Sequence, residues 1–327
     1  MQIKQWTEGE SIDCVLLVRD VETRRKSDGG EFLRVTFGDR SGQIPAMIWD
    51  DVVELGELLR VGSPVRVRGR YEKHARYGPQ LKLAGAALAE PGSFAPDALL
   101  DGPPRAAAQM ESDLRELLGT IQNPHLCALL ARVFGKHSPT WACYRDAPAA
   151  KHYHQAYRHG LLEHSLGVAQ AVSAISATFP GIDRDVAVSG ALLHDIGKLE
   201  AYESVGFAIE MSDEGKLQGE IPLGYFRVRR EIEDLDGFPQ ELAQALLHII
   251  LSHHGSLEHG SPVVPCTREA TLVHMVDNLG GRLGSFDRLE KELPGGARWS
   301  RFDRAIGSGA FFAQPAGAED DEVRRAA

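Results

Sequence analysis

At 327 residues, 43% hydrophobic and 25% charged, the chain has room for about two globular domains at ~100–200 residues each, and its composition excludes a disordered or fibrous protein. No apolar run approaches the ~18 residues a membrane helix needs, and four scattered cysteines without a CxxC pair exclude a disulfide framework. The net charge of −10 argues against a nucleic-acid partner until its distribution is read: residues 1–90 hold 14 of the 36 basic and 14 of the 46 acidic side chains, so the excess acid lies beyond them and the front of the chain can carry a basic face.

Ser11–Asp20 is expected to form a first strand, followed by the turn-rich Lys26-Ser27-Asp28-Gly29-Gly30. Glu31–Asp39 reads as a second strand, Asp39-Arg40-Ser41-Gly42 as a tight turn, and Gln43–Trp49 as the strand that pairs back. Asp51–Arg60 has helical spacing in Val52, Val53, Leu55 and Leu59. Ser63–His74 has clear period two, with Val65, Val67 and Tyr71 on one face and Arg66, Arg68 and Arg70 on the other; Pro79–Ala89 closes the series. Strand, hairpin, helix and two strands is the element order of an OB-fold barrel. Phe32, Phe37 and Trp49 are expected in its core, since a small barrel needs large apolar side chains.

Prolines and glycines crowd residues 91–104, so residues 91–108 are expected to link two domains. The pattern then turns helical, with helices expected over 109–121, 124–136, 160–178, 184–198, 217–234, 239–253 and 267–293, the last capped by Thr267. The expected division is a barrel over 1–90, the linker, an all-α domain over 109–315, and a frayed tail over 316–327. The fold class is thus multidomain α+β. Met1–Glu10 lacks the architecture of a secretion signal. A cytoplasmic location without membrane attachment is expected.

Thirteen histidines matter less by number than by placement. His164 lies inside the apolar run Leu161-Leu162-Glu163-His164-Ser165-Leu166. His194-Asp195 follows Ala191-Leu192-Leu193, His253-His254 ends another apolar helix, and Asp277 sits in His274-Met275-Val276-Asp277-Asn278. Each taken singly is compatible with a satisfied core residue. Four such groups on apolar helical faces of one domain point to a shared ion, because adjacent polar groups are costly to bury unpaired. Imidazole and carboxylate without thiolate suit Mn, Fe, Ni, Mg or Zn and disfavour a structural zinc knot; the expected cofactor is one or two divalent ions, Mn2+ before Fe, Ni, Mg, Co or Zn.

The strings LLEHSL, ALLHDIGK and HIILSHHG, with Asp277 after them and the barrel in front, resemble the HD phosphohydrolase superfamily. Within it they resemble the branch of YhaM-type 3′→5′ exoribonucleases. The resemblance implies that His164, His194, Asp195 and Asp277 hold a first ion, and that His253 and His254 serve a second with Asp195 bridging. Members with two ions carry a Gly-His-Ile histidine where this chain reads Gly219-Glu220-Ile221, so Glu220 becomes the candidate ligand. A second departure is Arg158-His159-Gly160, where the family shows paired glycines.

The implied chemistry is attack of an ion-activated water on phosphorus, with Asp195 orienting the water and Lys198 neutralising phosphate or, alternatively, satisfying a helix end. His248 and His274 are expected to support ligands, Arg282 to face solvent, and His152 and His154 to line the substrate path. In the barrel, Arg66, Arg68, Arg70, Lys73, Arg76 and Tyr77 are candidates for contacting a strand. The expected partner is single-stranded RNA, with single-stranded DNA as a second substrate and a homo-oligomer as a candidate assembly. Two other readings stay open at this point: a nucleotidase or cyclic-nucleotide phosphodiesterase, and a non-catalytic nucleic-acid-binding protein with a decayed site.

Overall fold

The computed structural model describes residues 2–26, 29–74, 78–100, 102–151, 155–205, 207–293 and 296–313. They fall into two compact units, one ending at Gly280 and one starting at Gly281. Among the described residues, no helix is long and apolar enough to cross a membrane.

The first unit opens with five antiparallel strands, β1 (Ser11–Arg25), β2 (Glu31–Gly38), β3 (Gln43–Ile48), β4 (Pro64–His74) and β5 (Gly78–Leu88), in sheet order β3-β2-β1-β4-β5. Helix α1 (Val52–Leu58) lies between β3 and β4. This is the element order expected from the sequence. The period-two alternation decides the faces: Val65, Val67 and Tyr71 are buried with Leu16, Val18, Val35, Phe37, Ile44 and Leu81, while Arg66, Arg68 and Arg70 are exposed. Strand β1 runs five residues past the expected end, because Val21–Arg25 pairs residue by residue with Glu31–Val35 in a long hairpin arm.

One core assignment fails. Phe37 is fully buried, but Trp49 is 51% exposed. The same alternation explains it: Leu33, Val35 and Phe37 point inward, which turns Phe32 outward, and Trp49 stacks on Phe32 with ring centroids 4.4 Å apart.

Residues 91–108 carry the short helix α2 (Pro96–Leu99), whose Leu99 is buried. The helices that follow are α3 (Ala107–Leu118), α4 (Pro124–Phe134), α5 (Pro139–Asp146), α6 (Gly160–Ser176), α7 (Arg184–Leu193) and α8 (Lys198–Ala201). A hairpin then intervenes, β6 (Tyr202–Val205) with β7 (Ala208–Met211), before α9 (Asp213–Gln218), α10 (Glu220–Glu233), α11 (Gln240–Ser252) and α12 (Arg268–Glu292). Local sequence accounts for several starts. The Asn123 side chain accepts from the N–H groups of His125 and Leu126, Asp183 accepts from Val186, and Thr267 accepts from Ala270. A core of Leu114, Leu129, Tyr144, Leu166, Val188, Ile249 and Val273 joins the helices.

The expected helix 184–198 breaks at His194, and the expected helix 217–234 breaks at Gly219, whose φ is +80°. Helix α5 and the hairpin were not expected. In the second unit, the end of α12 is followed by bridges pairing Trp299 with Phe311 and Asp303 with Ser308, and an ion pair joins Arg288 to Asp303.

Candidate metal centre

His194 and His253 occupy equivalent places, each immediately after the last residue of a buried helix. A helix end leaves carbonyls without intrahelical partners. His194 Nδ1 lies 2.7 Å from the Ala191 carbonyl and His253 Nδ1 lies 2.8 Å from that of Ile250, three residues back in each case. His254 Nδ1 lies 2.9 Å from the His259 carbonyl. A carbonyl only accepts, so each Nδ1 carries a proton and each Nε2 is the ring atom turned to the site. The backbone thus fixes the orientation of three imidazoles, with Nε2 the atom an ion would take once its proton has left.

The Nε2 atoms converge with two carboxylates. His164, reaching in from the first turns of α6, places Nε2 3.2 Å from His194 Nε2, 3.3 Å from Asp195 Oδ2 and 3.0 Å from Asp277 Oδ1. His194 Nε2 lies 3.3 Å from Asp195 Oδ2 and 3.7 Å from Asp277 Oδ1. Ligand atoms held at ~2.1 Å around one ion lie roughly 3.0–3.4 Å apart; His164, His194 and Asp195 form one group that could hold an ion, their ligand atoms within 4.8 Å of one another, and His194 and Asp277 form another with His253.

Asp195 turns its other oxygen the opposite way. Oδ1 lies 3.5 Å from His253 Nε2, and neither atom has a hydrogen-bond partner although both are buried. Two lone-pair atoms facing each other without a proton between them repel, and a cation beside them removes that cost. His254 Nε2 stands 3.4 Å from Glu220 Oε1. Glu220, His253 and His254 together form a further group whose ligand atoms lie within 4.8 Å of one another. Glu220 arrives here because α10 starts at this residue and packs against the turn after His194-Asp195. That approach needs Gly197, where a Cβ would meet the Glu220 carbonyl oxygen at 2.0 Å and the Gly224 nitrogen at 2.4 Å.

The electrostatics follow from burial and these contacts. Burial alone would keep His194 neutral, but the Asp195 and Asp277 carboxylates override it and push the imidazole up to about 10. Burial would raise Asp195, yet Lys198 and His194 hold it well below the usual carboxylate range; Asp277 is held down by His164 and His194 against the same burial. Burial keeps His253 below its ordinary value. His254 rises despite its burial because Glu220 faces it, and Glu220 falls despite its burial because Lys198 and His254 face it.

Lys198 Nζ sits 2.7 Å from Asp195 Oδ2, so its ammonium is paired with the central carboxylate. His274 supports the site through its ring nitrogen, 2.7 Å from the His253 carbonyl, whereas His248 accepts from the Cys266 N–H. Tyr144 was missed by sequence reasoning. Its buried hydroxyl donates to the Leu192 carbonyl in the last turn of α7; an i, i+3 aromatic pair with Trp141 behind Pro139 was the available signal. His159 lies outside the donor groups. It holds φ +70°, a conformation glycine adopts at no cost, and its ring bonds the Arg145 carbonyl at 2.8 Å. The positive φ is the reason a glycine suits this position, and the ring contact offsets part of the strain that a side chain brings there.

On the barrel, Arg66 and Arg68 both pair with Asp13, at 2.6 and 3.3 Å, and Arg70 and Lys73 are exposed. Lys26 lies over the Trp49 ring at 5.5 Å. The stacked Phe32–Trp49 pair is a surface feature the sequence reading assigned to the core. Arg76, Tyr77, His152 and His154 lie outside the described residues.

Comparison with known proteins agrees with both halves of the chain. Residues 17–84 match the family described as OB-fold nucleic acid binding domain, and residues 161–281 match the HD domain. The 3′-5′ exoribonuclease YhaM of Geobacillus sp. (strain WCH70) is 32% identical over 292 residues, which is 88% of this chain and 87% of that protein. The chain belongs to the YhaM family. The YhaM protein of Bacillus subtilis (strain 168) is 31% identical over 88% of this chain and 90% of its own length. An asparaginyl-tRNA synthetase structure from Entamoeba histolytica covers 36% of this chain and 34% of its own at a TM-score of 0.24 and 12% identity, a likeness that carries no argument. As the YhaM assignment implies, an OB-fold precedes a helical HD domain, and the HD domain is a divalent-metal-binding fold.

Proposed function

We propose that this YhaM-family chain is a metal-dependent 3′→5′ exoribonuclease that degrades single-stranded RNA in the cytoplasm, with Mn2+ as the working ion. The carrying observation is the split of Asp195: Oδ2 lies 3.3 Å from both His164 Nε2 and His194 Nε2, while the partnerless Oδ1 faces His253. His164, His194, Asp195 and Asp277 would hold the first ion, and Glu220, His253 and His254 a second. A carboxylate in that second set favours a hard ion such as Mn2+ over a soft one. The ion supplies Lewis acidity toward a phosphate oxygen and lowers the pKa of a bound water.

The protein's own groups do the rest. Lys198 keeps Asp195 ionised through its 2.7 Å contact. Asp195 Oδ1 accepts a hydrogen bond from the attacking water and aims it at phosphorus, in line with the leaving oxygen. His194, His253 and His254 keep their Nε2 atoms aimed at the site by donating Nδ1–H to backbone carbonyls. The barrel captures the strand. The exposed Trp49 on Phe32 offers a stacking platform, and Lys26 and the Arg66, Arg68, Arg70 and Lys73 side chains offer charge to the backbone. The assembled donor groups weigh against a decayed site.

The test is to load the protein with Mn2+ and give it 5′-end-labelled single-stranded RNA or DNA. A descending ladder from RNA is the expected result. A single product would point to a nucleotidase or cyclic phosphodiesterase, and intact RNA would refute the enzymatic reading.

A further inference from the structure

Inter-domain contacts within a chain are by default loose enough to move. The contact between the barrel and the β6–β7 hairpin is not of that kind. Gly62, in the turn between α1 and β4, holds φ +82°, and its N–H donates to the Val18 carbonyl at 2.8 Å. A Cβ on Gly62 would meet the Ala208 Cβ at 2.6 Å, its backbone nitrogen at 2.7 Å and its Cα at 3.1 Å. The positive φ accounts for a glycine here but not for this neighbour. Gly9, Gly78 and Gly92 have the same conformation, and a Cβ on any of them would meet nothing within 4 Å.

A second contact runs alongside. Phe94 meets Phe207 edge to face at 5.9 Å. Phe94 is itself tied to the barrel by the segment after it: Arg19 donates to the Leu99 carbonyl at 2.8 Å, and the Arg40 N–H donates to the Ala98 carbonyl at 2.9 Å. The other end of the hairpin is fastened to the ion site. It follows α8, whose first residue is Lys198, and the Ser212 N–H closes its base onto the Ala201 carbonyl at 3.0 Å. The two strands thus run from the barrel to the end of α8, the short helix that begins with Lys198, the residue that pairs with Asp195.

We propose that the Gly62–Ala208 seam, with Phe94 on Phe207, locks the OB barrel at a fixed place beside the ion site, and that this makes strand length a determinant of affinity. A strand long enough to lie on both the barrel and the ion site gains from a pre-positioned second contact; a short one gains only the ion site. Close-packed backbone leaves no slack to absorb an added side chain, so a substitution at the seam frees the barrel to move on its tether and lowers its effective concentration at the strand. Gly62 and Ala208 are positioning residues, remote from the reacting phosphate. The inference rests on the exoribonuclease reading for its substrate and not for its geometry.

The test uses the full-length Mn2+-loaded protein with two seam variants, Gly62→Val on the barrel and Ala208→Leu on the hairpin. Gly9→Ala carries the same backbone strain without the clash and serves as the control. Radius of gyration from small-angle scattering is measured beside KM and kcat for a long single-stranded RNA and for a dinucleotide. Both seam variants should expand, raise KM for the long strand about three- to tenfold, and leave dinucleotide cleavage and kcat unchanged, while Gly9→Ala matches the parent. Ala208→Leu leaves the Gly62 turn intact, so a misfolded Gly62→Val barrel does not decide the outcome. An unchanged radius in Ala208→Leu overturns the seam. Expansion with an unchanged KM for the long strand, or an equal loss on both substrates, overturns the length role. Failure of the parent to shorten any RNA overturns the exoribonuclease reading instead, and the scattering comparison is unaffected by it.

Discussion

Raising the pH should tighten metal binding steeply. In the metal-free protein His194 is held protonated by Asp195 and Asp277, with its pKa pushed up to about 10. An ion can take Nε2 only as the proton leaves. At ~1.4 kcal/mol per pH unit, the three units between pH 7 and that value cost about 4 kcal/mol, on the order of a thousandfold in apparent affinity. Each unit of pH gained between about 7 and 9 should therefore tighten Mn2+ binding up to tenfold, with one proton released per ion bound at the His194 set. The stability of the metal-free protein should move the other way. A folded pKa above the unfolded value of about 6.5 stabilises fully below pH 6.5, and that stabilisation is lost as pH rises through about 10. From pH 7 to 9 the loss is up to ~3 kcal/mol. The melting temperatures of metal-free and Mn2+-loaded protein should thus diverge as pH rises. Titration calorimetry in two buffers of different ionisation enthalpy counts the protons, and thermal melts at pH 7, 8 and 9 read the divergence. A dissociation constant flat from pH 6.5 to 8.5, with no proton released, would refute the arrangement of His194 between the two carboxylates.

Removing a ligand should separate chemistry from folding: His194→Ala and Asp195→Ala are expected to abolish turnover and to lower bound metal, while the circular dichroism spectrum stays that of the parent. Glu220→Ala should cut the bound Mn2+ toward one ion per chain and Glu220→His should restore it, as read by metal analysis; equal stoichiometry in all three proteins would show that Glu220 holds no ion. Trp49→Ala should raise KM for long RNA by the equivalent of about 1–3 kcal/mol, the worth of one stacked base, and leave the dinucleotide untouched. His159→Gly should be more stable than His159→Ala by about 1 kcal/mol in urea denaturation, because alanine keeps the left-handed backbone strain while losing the bond to the Arg145 carbonyl.

Local pattern determined much of this protein. Period two in Ser63–His74 set which face of β4 is buried, because alternation is a property of the strand itself. The strings around His164, His194, His253 and Asp277 picked out candidate ligands, and each lies on or at the end of a helix whose apolar spacing was legible. What the spacing left open was decided by long-range packing. Glu220 stands beside His254 because Gly197 lets the start of α10 reach the turn after Asp195, a contact between segments over twenty residues apart. Lys198 pairs with Asp195 three residues before it, and Trp49 stacks on Phe32 outside the barrel, contacts that local spacing permits but does not by itself require. The β6–β7 hairpin is four residues a side, too short for periodicity to separate from a helix, and its contacts with the barrel come from residues distant in the chain. Local residue type and period fix an element and its faces; the meeting of donors at one point depends on how those faces close on each other, and that is set only when the whole core packs.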